Sequence, residues 1–415
     1  MNIQALAEVA EKKMSLSTGG VKDFRETHLE LFKKKGLAPF DVNSYKYTNL
    51  SSFFEGLDYT PYEPDDSQIE KYQDERFTNI MFVDGVLQNQ KINIPGLNLT
   101  GLEENFPLLY PELKETHGVS HLHHSLLATG IVLEVAKNTI IEKPIRILNL
   151  ITKSGLNCAT VFIKINSNSK VSILEENTDQ SVSHGLINET YLQVEQGASL
   201  EHVQLTHAGA TGLTHTSTYA YVKKDATYRS VILNLSGKLN RQNVKMELLE
   251  SGAHGESYNL YFTSGSEQSD LNTCIEHKAA DTTSNQIAKG ILDEDSKGIF
   301  TGKIHIHPHA QRVAAAQLNK NLLLSKKAQV FSEPQLEIFA DDVKCSHGST
   351  TGQLSDDEVF YFQARGIPAD KARTLLAQAF GIEIVLKIQN TLLKQRAQEF
   401  VMQALKNKFH LGGAK

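Results

Sequence analysis

Cys345 and His347 are separated by one residue, so in an extended segment both side chains project to the same side and offer one soft and one borderline metal ligand. Two ligands do not complete a tetrahedral site. A metal held by this pair therefore occupies an open half-site, with its remaining ligands drawn from a second chain or a bound cluster; buried packing of the pair is the competing reading. Gly348 after it suits a tight turn. The run Lys303-Ile304-His305-Ile306-His307-Pro308-His309 alternates, which places His305 and His307 on one strand face, either as half of a metal site or as solvated histidines. His121, His123 and His124 form a third group, read as a solvated loop cluster.

Nucleotide chemistry has no support. Gly298-Ile299-Phe300-Thr301-Gly302-Lys303-Ile304 is one residue short between its glycines for a phosphate-binding loop, and Ile304 stands where a Ser or Thr must hold magnesium. Neither a nucleophile elbow with a Ser-His-Asp order nor a metalloprotease helix motif is found.

The elements that must position these residues fall into three textures. Leu6, Val9, Met14, Phe24, His28, Leu29 and Phe32 are spaced for helix, with breaks at Gly19-Gly20 and Gly36. Residues 79–88, NIMFVDGVLQ, read as a hairpin turning at Asp84-Gly85. From about Gly130 to Val343 short runs rich in β-branched and aromatic residues alternate with small turn clusters, among them 161–165, 170–174, 218–222 and 257–262. Taking Lys170, Ala198, Ala226, Ala253 and Asp281 as equivalent gives separations of 28, 28, 27 and 28 residues. A unit of about 28 residues with several short strands suits one coil of a β-solenoid, and a sandwich with evenly spaced turns is the competing architecture. Past it, Ser355-Asp356-Asp357-Glu358 reads as a capping box, Gly366-Ile367-Pro368 as a helix stop, and Asp370 as the next start. Ala372, Leu375, Leu376, Ala379 and Phe380, and later Ala397, Phe400, Val401, Ala404 and Leu405, repeat at helical spacing.

Composition narrows the function classes. The chain has 415 residues, enough for two or three domains, and 42 basic against 48 acidic residues leave a net charge of −6. This balance gives no footprint for nucleic acid or an acidic membrane surface. Cys158, Cys274 and Cys345 are far apart, which points away from disulfides and toward a reducing cytosol. The start MNIQALAEVAEKKM lacks a signal-peptide apolar run, and no stretch approaches the roughly 18–20 apolar residues of a membrane helix, so a cytoplasmic protein is expected.

Ala340-Asp341-Asp342-Val343-Lys344-Cys345-Ser346-His347-Gly348, followed by Phe360-Tyr361 and Arg365-Gly366-Ile367, resembles the C-terminal signature of the SufB/SufD family of iron-sulfur cluster assembly proteins. Phe362 stands where SufB-like members carry a cysteine, so the resemblance is to the SufD branch. Tyr45-Lys46-Tyr47-Thr48, Phe82-Val83-Asp84-Gly85, Lys143-Pro144-Ile145, Leu322-Leu323-Leu324 and Pro334-Gln335-Leu336-Glu337-Ile338 extend it upstream; it is strongest over about 320–383 and weak over 96–130.

The resemblance implies a mainly β fold, a right-handed parallel β-helix flanked by helical N- and C-terminal parts. The expected division is a helical region with a short hairpin over 1–95, the β-helix over 96–348 and a helical region over 349–415. It further implies a non-catalytic scaffold in a complex with SufB and two copies of the ATPase SufC, in a 1:2:1 SufB:SufC:SufD assembly, with the ATP site on SufC. By position, His347 resembles the histidine contributed at the SufB interface, with Cys345 a second candidate ligand for iron or a transient iron-sulfur cluster. Arg365, Gly366, Leu375, Leu376, Ala379 and Phe380 are the candidate SufC-docking residues. Flavin binding and homodimerisation of the isolated chain stay open. Two readings compete: a carbohydrate-active β-solenoid enzyme, disfavoured by the absence of Trp and of a distinctive acidic pair, and a metal-dependent β-barrel enzyme built on His305 and His307.

Overall fold

A computed structural model of the chain describes residues 7–8, 11, 20–37, 45–50, 70–88, 92–102, 118–127, 130–180, 183–209 and 211–408. The expected helical positions Leu6, Val9 and Met14 lie outside them.

Among the described residues, nineteen strands form two sheets. A hairpin of β1 (Thr78–Val83) and β2 (Val86–Leu87) begins sheet A, and β3 (Leu97–Gly101) begins sheet B. The solenoid then alternates strictly. β4 (Gly130–Val135), β6 (Gly155–Ile165), β8 (His184–Val194), β10 (Leu213–Val222), β12 (Leu239–Leu248), β14 (Gln268–His277), β16 (Lys297–Ile306) and β18 (Gln329–Ile338) stack in sheet B. β5 (Ile145–Ile151), β7 (Lys170–Asp179), β9 (Ser199–His207), β11 (Thr227–Asn234), β13 (His254–Thr263), β15 (Thr283–Leu292), β17 (Val313–Leu323) and β19 (Val343–Gln353) stack in sheet A. Every pairing between coils is parallel, so the eight coils make a parallel β-solenoid, and the sandwich and barrel alternatives are ruled out. β1 joins sheet A beside β5, and β19 runs to Gln353, so the solenoid extends past both expected boundaries.

The turn recurrence has a physical origin. Asn138, Asn168, Gly197, Asp225, Gly252, Asp281 and Arg312 all have positive φ, at one corner of successive coils, where Asn, Asp and Gly tolerate the left-handed region best. The following residue points inward, and in register these inward residues are Ser169, Ala198, Ala226, Ala253 and Thr282. Lys170 and Asp281 are thus each displaced by one residue from the true equivalents. Asp84 (φ 49) and Gly85 (φ 79) make the expected hairpin turn, and the Asp84 carboxylate accepts bonds from the Thr152 and Lys153 amides.

Helices cover the outer faces. α1 (Gly20–Lys35) and α2 (Gly118–Leu126) lie on sheet B, where Leu29, Phe32, Val119 and Leu122 pack on Cys158, Ile187 and Leu213. α3 (Asp356–Gln363), α4 (Ala369–Val385) and α5 (Thr391–Lys408) follow β19. α4 and α5 cover sheet A, with Ala377, Ile384, Ala397, Phe400 and Val401 against Val203, Val231, Leu260 and Ile291. Each fully buried aliphatic side chain stabilises by about 1.5–3 kcal/mol relative to exposure. Charged anchors reinforce the clamp: Arg396 pairs with Glu176, Lys289 with Glu383, and the Glu201 carboxylate accepts the Gln389 and Asn390 amides at 2.6 and 2.8 Å.

Several local expectations are corrected. Ser355 is the N-cap of α3 but its side chain makes no capping bond. Ala372, Thr374, Ala377, Gly381, Ile384 and Val385 are buried on α4, whereas Leu375, Leu376 and Phe380 are half-buried and Ala379 is exposed, because the sheet beneath sets the contact face. The later set, Ala397, Phe400, Val401, Ala404 and Leu405, is buried as spaced. No helix among the described residues is long and apolar enough to cross a membrane.

Candidate metal-ligand site at the open end of the solenoid

The two ends of the solenoid differ. At the N-terminal end β2 and β3 pair antiparallel with β1 and β4 and cap the stack. At the other end β18 and β19 are the last strands of their sheets, each with one edge unpaired among the described residues. The interior changes in the same direction, from Ile80, Ile131, Ile145 and Ile173 near the cap to amides and hydroxyls beyond.

β19 carries Cys345 and His347 on one side, as the alternation required. Cys345 is in register with Ala315, His347 with Gln317, Ser349 with Asn319 and Thr351 with Asn321. Gln317, Asn319 and Asn321 are buried in the interior, so His347 and Cys345 end rows that run down the inside of the solenoid. Cys345 belongs to a small apolar cluster with Ile304, Val313 and Ala315, and burial pushes its thiol above the usual range, partly countered by a backbone bond with Ala315. A metal must displace that proton. His347 is exposed. Gly348 lies within β19, opposite Leu318, and makes no turn.

A polar network borders the pair. The Ser332 hydroxyl donates to Asn319 Oδ1 at 2.8 Å and meets the Ser349 hydroxyl at 2.8 Å, while Asn321 Nδ2 donates to Asn319 Oδ1 at 2.7 Å. Sequence reasoning passed over Ser332, Ser349 and Gln317, because only strand pairing brings them to His347. On the outer face of sheet B, the Tyr45-Lys46-Tyr47-Thr48 motif straps several coils. Tyr47 donates to Glu333 at 2.8 Å and stacks on Phe331, the Tyr45 hydroxyl meets His215 Nε2 at 3.1 Å, and Thr48 donates to Asp270.

The other histidine groups are placed differently from each other. His121, His123 and His124 are buried on α2, contrary to the loop expectation. His28 Nδ1 lies 3.0 Å from His121 Nδ1 and 3.3 Å from His124 Nδ1, and His124 Nε2 meets Glu189 at 2.9 Å. Burial, then His124, push His28 down to about 2; burial, then Lys35, push His121 down to about 4, so both stay neutral and tie α1 to α2. His305 and His307 do share a face, with ring centroids 4.5 Å apart, and meet Glu337 and Glu276 at 2.8 and 3.4 Å. Among the described residues no group of three or more His, Cys, Asp or Glu is placed to hold a metal ion, so a site at Cys345 and His347 is a half-site. Residues 298–303 are part of strand β16, a geometry that cannot wrap a phosphate.

The candidate docking residues are peripheral. Arg365 is exposed with its guanidinium 3.5 Å from the Tyr361 ring centroid, and Gly366 follows α3 at φ 79. Phe360 and Tyr361 are 67% and 56% exposed, while Phe380 lies under the Lys289 ammonium at 4.2 Å.

This architecture agrees with the matches to known proteins. Residues 149–380, more than half of the chain, match the family model of the SUF system FeS cluster assembly SufBD core domain. An iron-sulfur cluster assembly SufBD family protein of Synechocystis is 32% identical over 297 residues, covering 68% of this chain and 65% of the relative. The chloroplastic protein ABCI7 of Arabidopsis thaliana is 27% identical over 348 residues, 79% of this chain and 73% of its own. Escherichia coli SufD is 31% identical over 214 residues, 52% of this chain and 51% of its own length. The chain thus spans just under two thirds of the first of these relatives and about half of the last. With a parallel solenoid making up most of the matched region and the Cys345-Ser346-His347 strand ending that solenoid, the chain belongs to the SufBD family of SUF-system iron-sulfur cluster assembly proteins.

Proposed function

We propose that this chain is a SufD-like, non-catalytic scaffold subunit that acts in the cytosol with a SufB-like partner and two copies of a SufC-like ATPase. The observation that carries the reading is the open end of the solenoid, where His347 is exposed beside Cys345 on an edge strand whose outer edge is unpaired among the described residues. An edge of this kind is a template for pairing with another chain, and a two-ligand half-site needs one. Iron or a nascent cluster is the cargo, bound by His347, with Cys345 as second ligand, and by groups of the SufB-like partner.

The SufC-like ATPase docks on the outer side of the C-terminal helices, on Arg365, Gly366, Ala379 and the exposed edges of Leu375, Leu376 and Phe380. The exposed Phe360 and Tyr361 extend that surface. Nucleotide-driven dimerisation of the ATPase pulls on α3 and α4 and opens the pairing edge, which requires different contacts in the two nucleotide states. α4 and α5 are clamped to sheet A, so a pull on them moves the solenoid as one body.

Anaerobic co-expression with SufB-like and SufC-like proteins from the same host tests this. A native mass matching 1:2:1, with iron bound, is expected; a chain that stays alone or pairs only with itself overturns the reading.

A further inference from the structure

His347 ends a single inward-facing row. Reading up the coils in register, the row is Ile145, Ile173, His202, Ser230, Ser257, Gln286, Gln317 and His347. Its last two amides are oriented. Gln286 Nε2 donates to Thr273 Oγ1, which leaves Gln286 Oε1 as an acceptor, and Gln317 Nε2 donates to that oxygen at 2.9 Å. Gln317 Nε2 therefore points toward the capped end and Gln286 Oε1 toward the open end, while Gln286 Nε2 reaches across the lumen to β14. Gln317 Oε1 is buried and has no hydrogen-bond partner among the described residues, at the one step of the ladder where the next residue in register is His347. The opposite wall leaves room for this amide: a Cβ on Gly302 would stand 2.4 Å from Gln317 Nε2.

We propose that Gln317 is a positioning residue for His347. Its Oε1 accepts an N–H from the imidazole, which selects one tautomer and turns the other ring nitrogen, with its lone pair, toward the open end. The donor capacity of a neutral imidazole is a single N–H, so satisfying Gln317 decides which nitrogen is left to bind metal. Partners of this kind behind a metal-binding histidine fix ring orientation and tune ligand strength. The functional consequence rests on the reading of His347 as a cargo ligand; the contact itself does not.

Long-range ¹⁵N–¹H NMR on the ¹⁵N-histidine-labelled full chain reads the tautomer, with the His347 signal assigned by its loss in His347→Ala. One tautomer is expected to dominate, by up to about tenfold, the ratio that one net hydrogen bond supports. Gln317→Met, similar in shape without an acceptor, should return His347 to the free-imidazole ratio, and Gln317→Glu, which keeps the acceptor, should retain the preference. A free-imidazole ratio in the unsubstituted chain overturns the proposal even if Gln317→Met fails to fold, as does an unchanged ratio in a folded Gln317→Met. Iron content of the assembled complex separates the two readings: an altered tautomer with His347→Ala at full iron content supports the contact and overturns the ligand role, whereas an altered tautomer with reduced iron in both variants supports both.

Discussion

Arg396 on α5 donates into the carboxylate of Glu176 on β7, 220 residues away in sequence, and Arg146 of β5 donates to the same carboxylate at 2.8 Å. Burial alone would raise the Glu176 pKa, but Arg146 and Arg396 more than reverse this and hold it below the usual range. Arg146 still compensates Glu176 when Arg396 is removed, so Arg396→Ala should cost about 1.5–3 kcal/mol, the worth of a charged hydrogen bond rather than of an unpaired buried charge. A carboxylate with a lowered folded pKa stabilises above its unfolded value and loses that contribution as pH falls through the folded one. Urea denaturation should therefore show Glu176→Gln less stable than the parent at pH about 7, with the gap closing only in acid, as pH falls below the unfolded carboxylate value and through the lowered folded one; equal stability at neutral pH would refute the anchor.

The buried histidines make the α1–α2 cover acid-sensitive. Unfolded histidine titrates near 6.5, whereas His121 and His28 titrate at about 4 and about 2 in the fold, so the unfolded state binds more protons as pH falls below 6.5. Stability of this cover is present above pH 6.5 and should fall by about 1–2 kcal/mol per histidine between pH 6.5 and 5. Hydrogen exchange, corrected for intrinsic rates, should show α2 amides losing protection over that interval while β11 and β13 amides do not. Protection of α2 independent of pH would contradict this.

Gly252 occupies the corner stack at φ 78, and a Cβ there would lie 2.0 Å from Asp225 Oδ1. Gly252→Ala combines left-handed strain with a clash against the coil below, for an expected loss of about 1–2 kcal/mol. Asp225→Gly in the same chain should restore part of the melting temperature by removing the clash. No recovery would show that the backbone strain alone sets the cost.

His347 is exposed and ends its row, so His347→Ala should cost no more than the net worth of one hydrogen bond, about 0.5–1.5 kcal/mol. Its effect should appear in the assembled complex, as reduced iron content at unchanged stoichiometry. Cys345→Ala should reduce iron less and stability more, because Cys345 packs with Ile304 and Val313. Full iron content in the His347→Ala complex would remove the ligand assignment.

Local signals were legible where the backbone itself is constrained. Asp84-Gly85 announced its turn because both residues must adopt positive φ, and the repeat near 28 residues was visible because each coil needs a left-handed corner followed by a small inward residue. The capping box at Ser355 and the turn expected at Gly348 failed, since the same residue types occur at an uncapped helix start and within a polar edge strand. The α2 histidines looked solvated because their partners, His28 and Glu189, are distant in sequence.

By itself the amino-acid sequence determined the strands, the coil length, the family and the pairing of Cys345 with His347 on one side of a strand. Which side faces the interior was decided only by the tertiary structure. Strands such as β6 and β8 are buried on both faces, between the lumen and the covering helices, so their burial does not alternate and hydropathy cannot separate inside from outside. Register across coils then brought Gln317 next to His347 in its row, with Gln317 Oε1 buried and without a partner among the described residues, a relation between residues 30 positions apart that neither segment specifies alone.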